Sequence, residues 1–142
     1  EDVKSVDAII KAYYDVNSGS SSDPWEFERD TYTHSKNAHI ILLDENGKAE
    51  LVKLEVLQNE FRMSERKDSY EKELKRKVSQ FGNIVQVWSA YEIRYEPETS
   101  TNNRGLVSIQ LHYEKGRWWI DGWTNQNETD KNSIVTKFLT KE

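Results

Sequence analysis

The sequence predicts an α+β fold, in which amphipathic helices from the first half of the chain pack on an antiparallel β-sheet. Two observations carry this prediction. Apolar side chains in residues 3–16 recur at three- and four-residue spacing, which is typical of one helical face. Residues 84–126 hold runs of alternating polarity separated by turn residues, which is typical of neighbouring strands. A chain of 142 residues has the length of one domain, so we predict a single domain over residues 1–142.

Three helices are predicted in the first half of the chain. The first spans Val3 to Val16 and ends at Gly19 and its neighbouring serines. The second runs from Pro24 to about Tyr32, because Asp23 offers a side-chain cap and proline suits the first helical position. The third runs from Lys53 to about Ser64, where leucine and phenylalanine repeat at helical spacing.

A β-hairpin separates the second and third predicted helices. Ala38 to Leu43 is an apolar run of strand length, and Lys48 to Val52 is its expected partner. The turn between them contains Asn46-Gly47, a dipeptide that strongly favours a hairpin. The following segment, residues 70–80, is ambiguous, since its apolar side chains fit both a helical face and one side of a strand.

The second half is predicted to form three strands, Ile84 to Tyr95, Gly105 to Glu114 and Arg117 to Gln126. A polar loop, Pro97 to Arg104, joins the first two, and Lys115-Gly116 is a tight turn before the last. Residues 129–142 form a tail with a short predicted helix, in which Ile134 and Val135 are paired with Phe138 and Leu139 at four-residue spacing.

Alternation within these strands predicts which side chains share a face of the sheet, since successive residues point to opposite sides. In the first strand, Val85, Val87, Ser89, Tyr91 and Ile93 share one face and Trp88 lies on the other. In the last strand, Trp118, Ile120 and Thr124 share one face, and Trp119, Asp121 and Trp123 share the other.

Several runs of sequence together resemble a known superfamily. They are VDAIIKAYYDVNSG near the amino terminus, then YEKELKRKVSQFGNIVQVWSAYE, RGLVSIQL, GRWWI and QNE. This combination, which covers about Val6 to Glu128, is similar to a bacterial branch of the nuclear-transport-factor-2-like, or SnoaL-like, superfamily. The chain departs from that branch at Gln86, where histidine is common, and at Ala90, where threonine is common.

The resemblance implies a cystatin-like cone, with three N-terminal helices packed in the hollow of a curved, mostly antiparallel sheet and a pocket between them. It also implies a strand at Tyr70 to Gln80. Many relatives dimerise through the outer face of the sheet, so a homodimer is expected. Relatives in this branch often carry an export signal. Because the chain begins at Glu1, we expect a periplasmic or extracellular protein, with a cytoplasmic location as the alternative.

Composition excludes several classes of partner and site. The formal net charge is −5, so the long-range field repels nucleic acids and acidic membranes, and neither is a predicted partner. The chain has no cysteine, which excludes disulfides, thiolate metal sites and cysteine nucleophiles. His34 and His39 lack a carboxylate in metal-ligand register, so we predict no metal site, and we predict no cofactor.

Aromatic side chains are the best candidates for a ligand pocket inside the cone. Such a lining would suit a flat or apolar small molecule. The alternative is that each ring only fills the core of a domain poor in leucine. The predicted pocket residues are Tyr14, Trp25, Tyr91 and Trp118, with Thr124 and Gln126 supplying polar contacts.

No set of residues in the sequence forms a recognisable catalytic constellation. His34 is the best of the weak candidates for a general base. The alternative is that His34 is a loop histidine whose ring is hydrogen-bonded to the backbone. Asp121 lies between two tryptophans, but we expect it on the outer face of the sheet as a surface or interface acid. His39 and His112 fall in strands and are expected to be packing or surface residues.

Three functional hypotheses follow from these observations. The preferred one is a protein that binds a small hydrophobic or aromatic molecule in the cone. The second is an isomerase, dehydratase or cyclase of the same fold, which would need an acid or histidine of perturbed pKa in the interior. The third is a scaffold that binds a protein partner through the outer face of the sheet.

Overall fold

The computed structural model describes residues 1–96, 101 and 103–139. Most of the predicted polar loop, residues 97–100 and 102, therefore lies outside the described residues. None of the helices in the described part of the chain is long and apolar enough to cross a membrane. The elements are α1 (Val6–Val16), α2 (Phe27–Thr33), β1 (His34–Leu43), β2 (Ala49–Lys53), α3 (Leu54–Arg62), β3 (Tyr70–Phe81), β4 (Ile84–Arg94), β5 (Asn103–Glu114), β6 (Arg117–Asn127) and a short π-helical turn (Val135–Leu139).

Helix α1 forms as the sequence predicts. The Ser5 hydroxyl accepts a hydrogen bond from the Ala8 N–H at 3.0 Å, which satisfies one of the free donors of the first turn. The helix buries one face, which includes Ile9, Ile10 and Tyr13. This face is what packs against the sheet.

Helix α2 begins at Phe27 and not at Pro24, so the predicted start is wrong by one turn. The Asp23 carboxylate accepts from the Ser20 N–H at 2.8 Å and so closes a local turn instead of capping a helix. The carbonyls of Asp23 and Pro24 both accept from the guanidinium of Arg66, at 3.0 and 2.9 Å. A contact across 42 residues of sequence thus overrides the local capping signal.

The six strands form one mixed sheet in the order β2-β1-β6-β5-β4-β3. Every neighbouring pair is antiparallel except β1 and β6, which run parallel. The prediction of a mostly antiparallel sheet is therefore confirmed. The ambiguous segment is strand β3, as the resemblance implied, and it pairs along its length with β4.

The predicted arrangement of the helices is confirmed in part. Helices α1 and α2 precede the first hairpin, whereas α3 follows it and contacts β1 and β2. The side chains of α1 enter the main core with inward-facing residues of the strands, and these include Val87, Ile109 and Ile120. Of the four helical segments in the described residues, the last lies near the carboxyl terminus.

A β-bulge in β6 changes which side chains face the helices. Leu111 pairs with Ile120 and Gln110 pairs with Gly122, so Asp121 is an extra residue in its strand. Such an insertion reverses the alternation beyond it. Trp123, paired with the core residue Ile109, therefore faces inward.

The same bulge overturns two predicted pocket positions. Thr124 pairs with Ser108 and Gln126 pairs with Leu106, and both partners face away from the helices. Thr124 and Gln126 consequently lie on the outer face of the sheet and not inside the cone. The prediction that Trp123 shares a face with Asp121 is wrong for the same reason.

The C-terminal tail folds back over the outer face of the sheet. Ile134 and Phe138 are buried against Ala90, with Leu74 and Leu106 beside them. The Glu128 carboxylate holds the start of the tail, since it accepts from Arg104 at 2.8 Å and from the Ile134 N–H at 3.2 Å. Where a short helix is predicted, the described tail has a single π-helical turn, Val135–Leu139, and residues 140–142 lie outside the described residues.

Candidate functional site

A chain of hydrogen bonds joins α1 to β3 and β4 inside the cone. Ser89 donates to the Glu73 carboxylate, so its oxygen must accept the proton of the Tyr14 hydroxyl, 2.7 Å away. Arg76 binds the other side of Glu73 at 2.7 Å and also contacts Asp7 of α1. Burial is the main cause that raises the pKa of Tyr14 above its usual value. These hydrogen bonds fix the Tyr14 side chain, and the guanidinium of Arg76 balances the charge of Glu73.

Tyr91 is the second predicted pocket residue that faces the interior. Its hydroxyl donates to the Asn127 side-chain oxygen at 2.6 Å and accepts from the Asn125 amide at 3.4 Å. Burial raises the pKa of Tyr91 to about 12. The ring therefore remains a neutral, hydrogen-bonded wall of the interior at physiological pH.

Glu71 is an interior acid that the sequence analysis did not single out. It pairs with Ile93 on the inner face of the sheet. Burial is the main cause that raises the pKa of Tyr13, Tyr14 and Tyr91, and the charge of Glu71 adds a smaller contribution. Its side chain is half-buried, and this burial raises the pKa of Glu71 to about 7. A buried acid with a raised pKa is a candidate for binding charge or transferring protons, although structural groups also show raised pKa values.

His34 is buried where α2 meets β1, and both of its ring nitrogens have partners. Nδ1 lies 2.7 Å from the Asp30 carbonyl oxygen, and Nε2 accepts the indole N–H of Trp123 at 3.2 Å. This pattern sets the neutral tautomer with the proton on Nδ1. Burial lowers the pKa of His34, which keeps it uncharged. Because its only lone pair is engaged, we do not propose His34 as a general base.

Replacing the donor to His34 provides a test of this arrangement. We expect Trp123→Phe to lower the free energy of unfolding by about 1–2 kcal/mol or more, because a buried acceptor loses its partner and some ring volume is lost. The measurement is urea denaturation. Trp119→Phe is the matched control, since the Trp119 indole donates to the Glu114 carbonyl at the surface, where water replaces it. Equal losses in both variants would contradict the assigned role of Trp123.

The remaining predicted rings have different positions: Trp118 shares the main core cluster with Tyr14 and Tyr91, whereas Trp25 lies outside it. Trp25 stacks between Phe27 and Phe61, with centroid distances of 5.5 and 5.3 Å. Trp118 is buried in the main core, where it packs against Tyr113 at 5.3 Å. The hollow that Trp25 lines together with Trp123 has a volume of only about 20 Å³, which suits no ligand larger than a water molecule. The described residues thus fill this part of the cone.

The outer face of the sheet carries a larger groove of about 330 Å³. Its floor comes from the outward-facing side chains of β4, β5 and β6, and its wall comes from the tail. The apolar lining residues include Trp88, Leu106, Ile134 and Phe138, and the polar ones include Ser108, Thr124, Gln126 and Lys137.

The remaining candidates lie on the outer face or at the surface. Asp121 accepts from His112 Nδ1 at 2.7 Å and lies outside the core, as predicted for this acid. His39 is exposed on β1. Within the described ranges, no three side chains of metal-ligating type are grouped so that they could hold an ion.

Together, the mixed sheet and the helices packed on one side of it define the NTF2-like, or cystatin-like, fold. Solved structures confirm this at the level of fold. A cystatin-like protein of unknown function from Nostoc punctiforme matches with a TM-score of 0.64 and 12% identity, over 86% of this chain and 90% of that one. An NTF2-like protein of unknown function from Pseudomonas aeruginosa matches with a TM-score of 0.67 and 10% identity, over 85% and 95%.

A third structural match is named as an association domain. The association domain of CaMKII from C. elegans matches with a TM-score of 0.65 and 13% identity, over 85% of this chain and 92% of that one. No family model matches the chain. No curated protein matches it by sequence.

Proposed function

We propose that this protein binds a small hydrophobic or aromatic molecule in the groove between the outer face of the sheet and the C-terminal tail. The observation that carries the proposal is the volume of about 330 Å³ bounded by apolar side chains. Ligand pockets are typically of about 300 Å³ or more and present a few polar groups on an apolar lining. The ligand was expected inside the cone, but the hollow beside Trp25 is more than ten times smaller than the groove.

The lining indicates the shape and polarity of the ligand. Trp88 is 45% exposed and offers a ring face on the floor of the groove, opposite the apolar side chains of the tail. Ser108, Thr124 and Gln126 add hydroxyl and amide groups that would orient a ligand. The best fit is a flat molecule with one or two hydrogen-bonding groups.

Filling the groove tests the proposal. The probe is 8-anilinonaphthalene-1-sulfonate, a flat aromatic molecule whose fluorescence rises in apolar surroundings. We expect Thr124→Phe to weaken its binding about tenfold, which corresponds to about 1.4 kcal/mol, because the added ring occupies the groove. Asn37→Phe is the control, since Asn37 is exposed on β1 and lines neither this groove nor the surface around Phe81 and Ile84. Equal affinity in both variants, or no saturable binding by the native chain, would overturn the proposal.

We also propose that the protein forms a homodimer through the outer face, beyond the part that the tail covers. Apolar side chains are exposed there at the β3–β4 end, where Phe81 is 83% and Ile84 is 60% exposed. Exposed apolar patches of this kind are typical of interaction surfaces. The structural match to an association domain supports oligomerisation in general.

Light scattering coupled to size-exclusion chromatography is expected to give a molar mass twice the chain mass of 16.7 kDa. Ile84→Asp should restore the monomer mass, because a charge would be buried without a partner in the interface. Val56→Asp on α3 is the control, since Val56 is also exposed and apolar but lies away from the sheet face. A monomer mass for the native chain would refute the dimer.

A further inference from the structure

Two charged side chains of the described chain, Glu128 and Lys137, line the groove on the outer face of the sheet. The Glu128 carboxylate forms an ion pair with Arg104 at 2.8 Å. Its other oxygen accepts a hydrogen bond from the Ile134 N–H at 3.2 Å. Because both oxygens of Glu128 have donors from the chain itself, this acid is neutralised and does not draw a cation into the groove.

The positive charge of Lys137 is not balanced in the same way. Its ammonium group donates to the Lys131 carbonyl oxygen at 3.1 Å and to the Asn132 side-chain oxygen at 2.6 Å. Both acceptors are neutral, and no carboxylate of residues 1–96, 101 and 103–139 forms an ion pair with Lys137. An ammonium group has three N–H donors. The two bonds therefore hold the lysine in place at the groove and, within the described chain, leave its third donor for a ligand.

Two further lysines add positive charge beside the groove. The ammonium groups of Lys75 and Lys77 lie 5.4 and 5.5 Å from the ring centroid of Phe138, which is a wall of the groove. The chain as a whole has a net charge of −5, but salt screens exposed charges beyond about 8–10 Å. Inside the groove, the nearby lysines therefore outweigh the distant acids and attract an anion.

We propose that the ligand of this groove is a carboxylate with a flat apolar body, and that the ammonium group of Lys137 pairs with the carboxylate. The inference rests on the proposed function and names its class of ligand. One ammonium balances the single charge of a carboxylate, whereas a phosphate monoester carries about −1.5 to −2 at neutral pH. The apolar body lies between Trp88 and the tail side chains Ile134 and Phe138, which line the same groove. Hydrogen bonds between an ammonium and a carboxylate are charge-assisted and stronger than neutral ones.

Two probes that differ in charge and have nearly the same shape test this proposal. They are 2-naphthoic acid, a carboxylate at neutral pH, and 2-naphthamide, which is uncharged. Calorimetric titration of the native chain should show about tenfold tighter binding of the acid, which corresponds to about 1.4 kcal/mol. Lys137→Met removes the ammonium and keeps most of the side-chain volume. This variant should lose the preference for the acid and bind the amide as the native chain does.

Two further variants separate the charge of Lys137 from the packing of the tail. Lys137→Arg keeps a positive charge and should therefore keep the preference for the acid. Lys36→Met is the control for the change in net charge, since Lys36 is exposed on β1 and lies outside the groove lining. We expect this control to bind both probes with native affinity.

The outcomes distinguish the charge of the ligand from the groove itself. Equal affinities of the native chain for the two probes, or a preference for the acid that persists in Lys137→Met, would overturn the carboxylate proposal. If Thr124→Phe weakens the binding of both probes in that case, the groove remains the ligand site. No saturable binding of either probe, or unchanged affinity for both in Thr124→Phe, would overturn the groove and the carboxylate proposal together.

Discussion

Gly105→Ala is expected to lower the free energy of unfolding by about 3 kcal/mol, at the upper end of the cost of overpacking a core. A Cβ atom at this position would lie 2.3 Å from the Gln126 carbonyl oxygen and 2.4 Å from the Tyr91 hydroxyl oxygen. The first of these atoms belongs to the backbone of β6 and cannot rotate away. Either the β5–β6 pairing opens or Tyr91 moves, and both changes disturb the interior.

The variant also has a local signature. Displacing Tyr91 would break its hydrogen bond to Asn127, so the amide signals of Asn127 and Asn125 should shift. Chemical denaturation gives the loss of stability, and Gln110→Ala is the control on the same strand. Gln110 is exposed, so its removal should change stability by less than about 0.5 kcal/mol. A loss below about 1 kcal/mol for Gly105→Ala would mean that the sheet tolerates a wider spacing here.

Elements whose signals are local were predictable from the sequence. The apolar face of α1 is set by residues within a few turns of one another, and the predicted helix matches to within three residues at its start. The Lys115-Gly116 turn is equally local. Both residues have positive φ angles, 56° and 78°, which is the geometry of a tight hairpin turn. Lysine at the first of these positions is less usual, but the flanking strands specify the turn.

Features that depend on distant contacts were not predictable. The start of α2 is decided by Arg66, which binds the carbonyls of Asp23 and Pro24. The reversal of faces in β6 depends on one extra residue, Asp121, and no residue type marks that position as a bulge. Because a shift of one residue inverts a strand, this single insertion moved Thr124 and Gln126 to the opposite side of the sheet.

The sequence predicted the interior tyrosines of the candidate site but not its interior glutamate. Tyr14 and Tyr91 lie inside, since each follows the periodicity of its own element. Glu71 was missed because residues 70–80 fitted both a helix and a strand. Without an assigned secondary structure, the sequence does not predict which side of the sheet the Glu71 side chain faces. Once β3 is known to be a strand, the alternation of Glu71 and Glu73 opposite Ile93 and Tyr91 is a usable signal.

Glu71→Gln is expected to raise the free energy of unfolding by about 2–3 kcal/mol at pH 8. Burial raises the pKa of Glu71 to about 7 in the folded chain, whereas an unfolded glutamate titrates near about 4.3. Between these values the folded state binds more protons than the unfolded state, so the stability contributed by this residue falls as pH rises. Above about pH 7 the folded chain carries the full cost of an unpaired carboxylate, which glutamine removes.

The pH dependence of the stability difference between Glu71→Gln and the native chain identifies the cause of that difference. The gain should be largest at pH 8, smaller at pH 6 and close to zero at pH 4, where glutamate is mostly protonated in both states. His34 acts in the opposite sense, because its lowered pKa makes both proteins lose stability as pH falls, and its contribution cancels in the comparison. Urea denaturation of both proteins at the three pH values measures the gain, with exposed Glu65→Gln as the control. A pH-independent difference, or a less stable Glu71→Gln at pH 8, would show that a partner already neutralises this carboxylate in the folded chain.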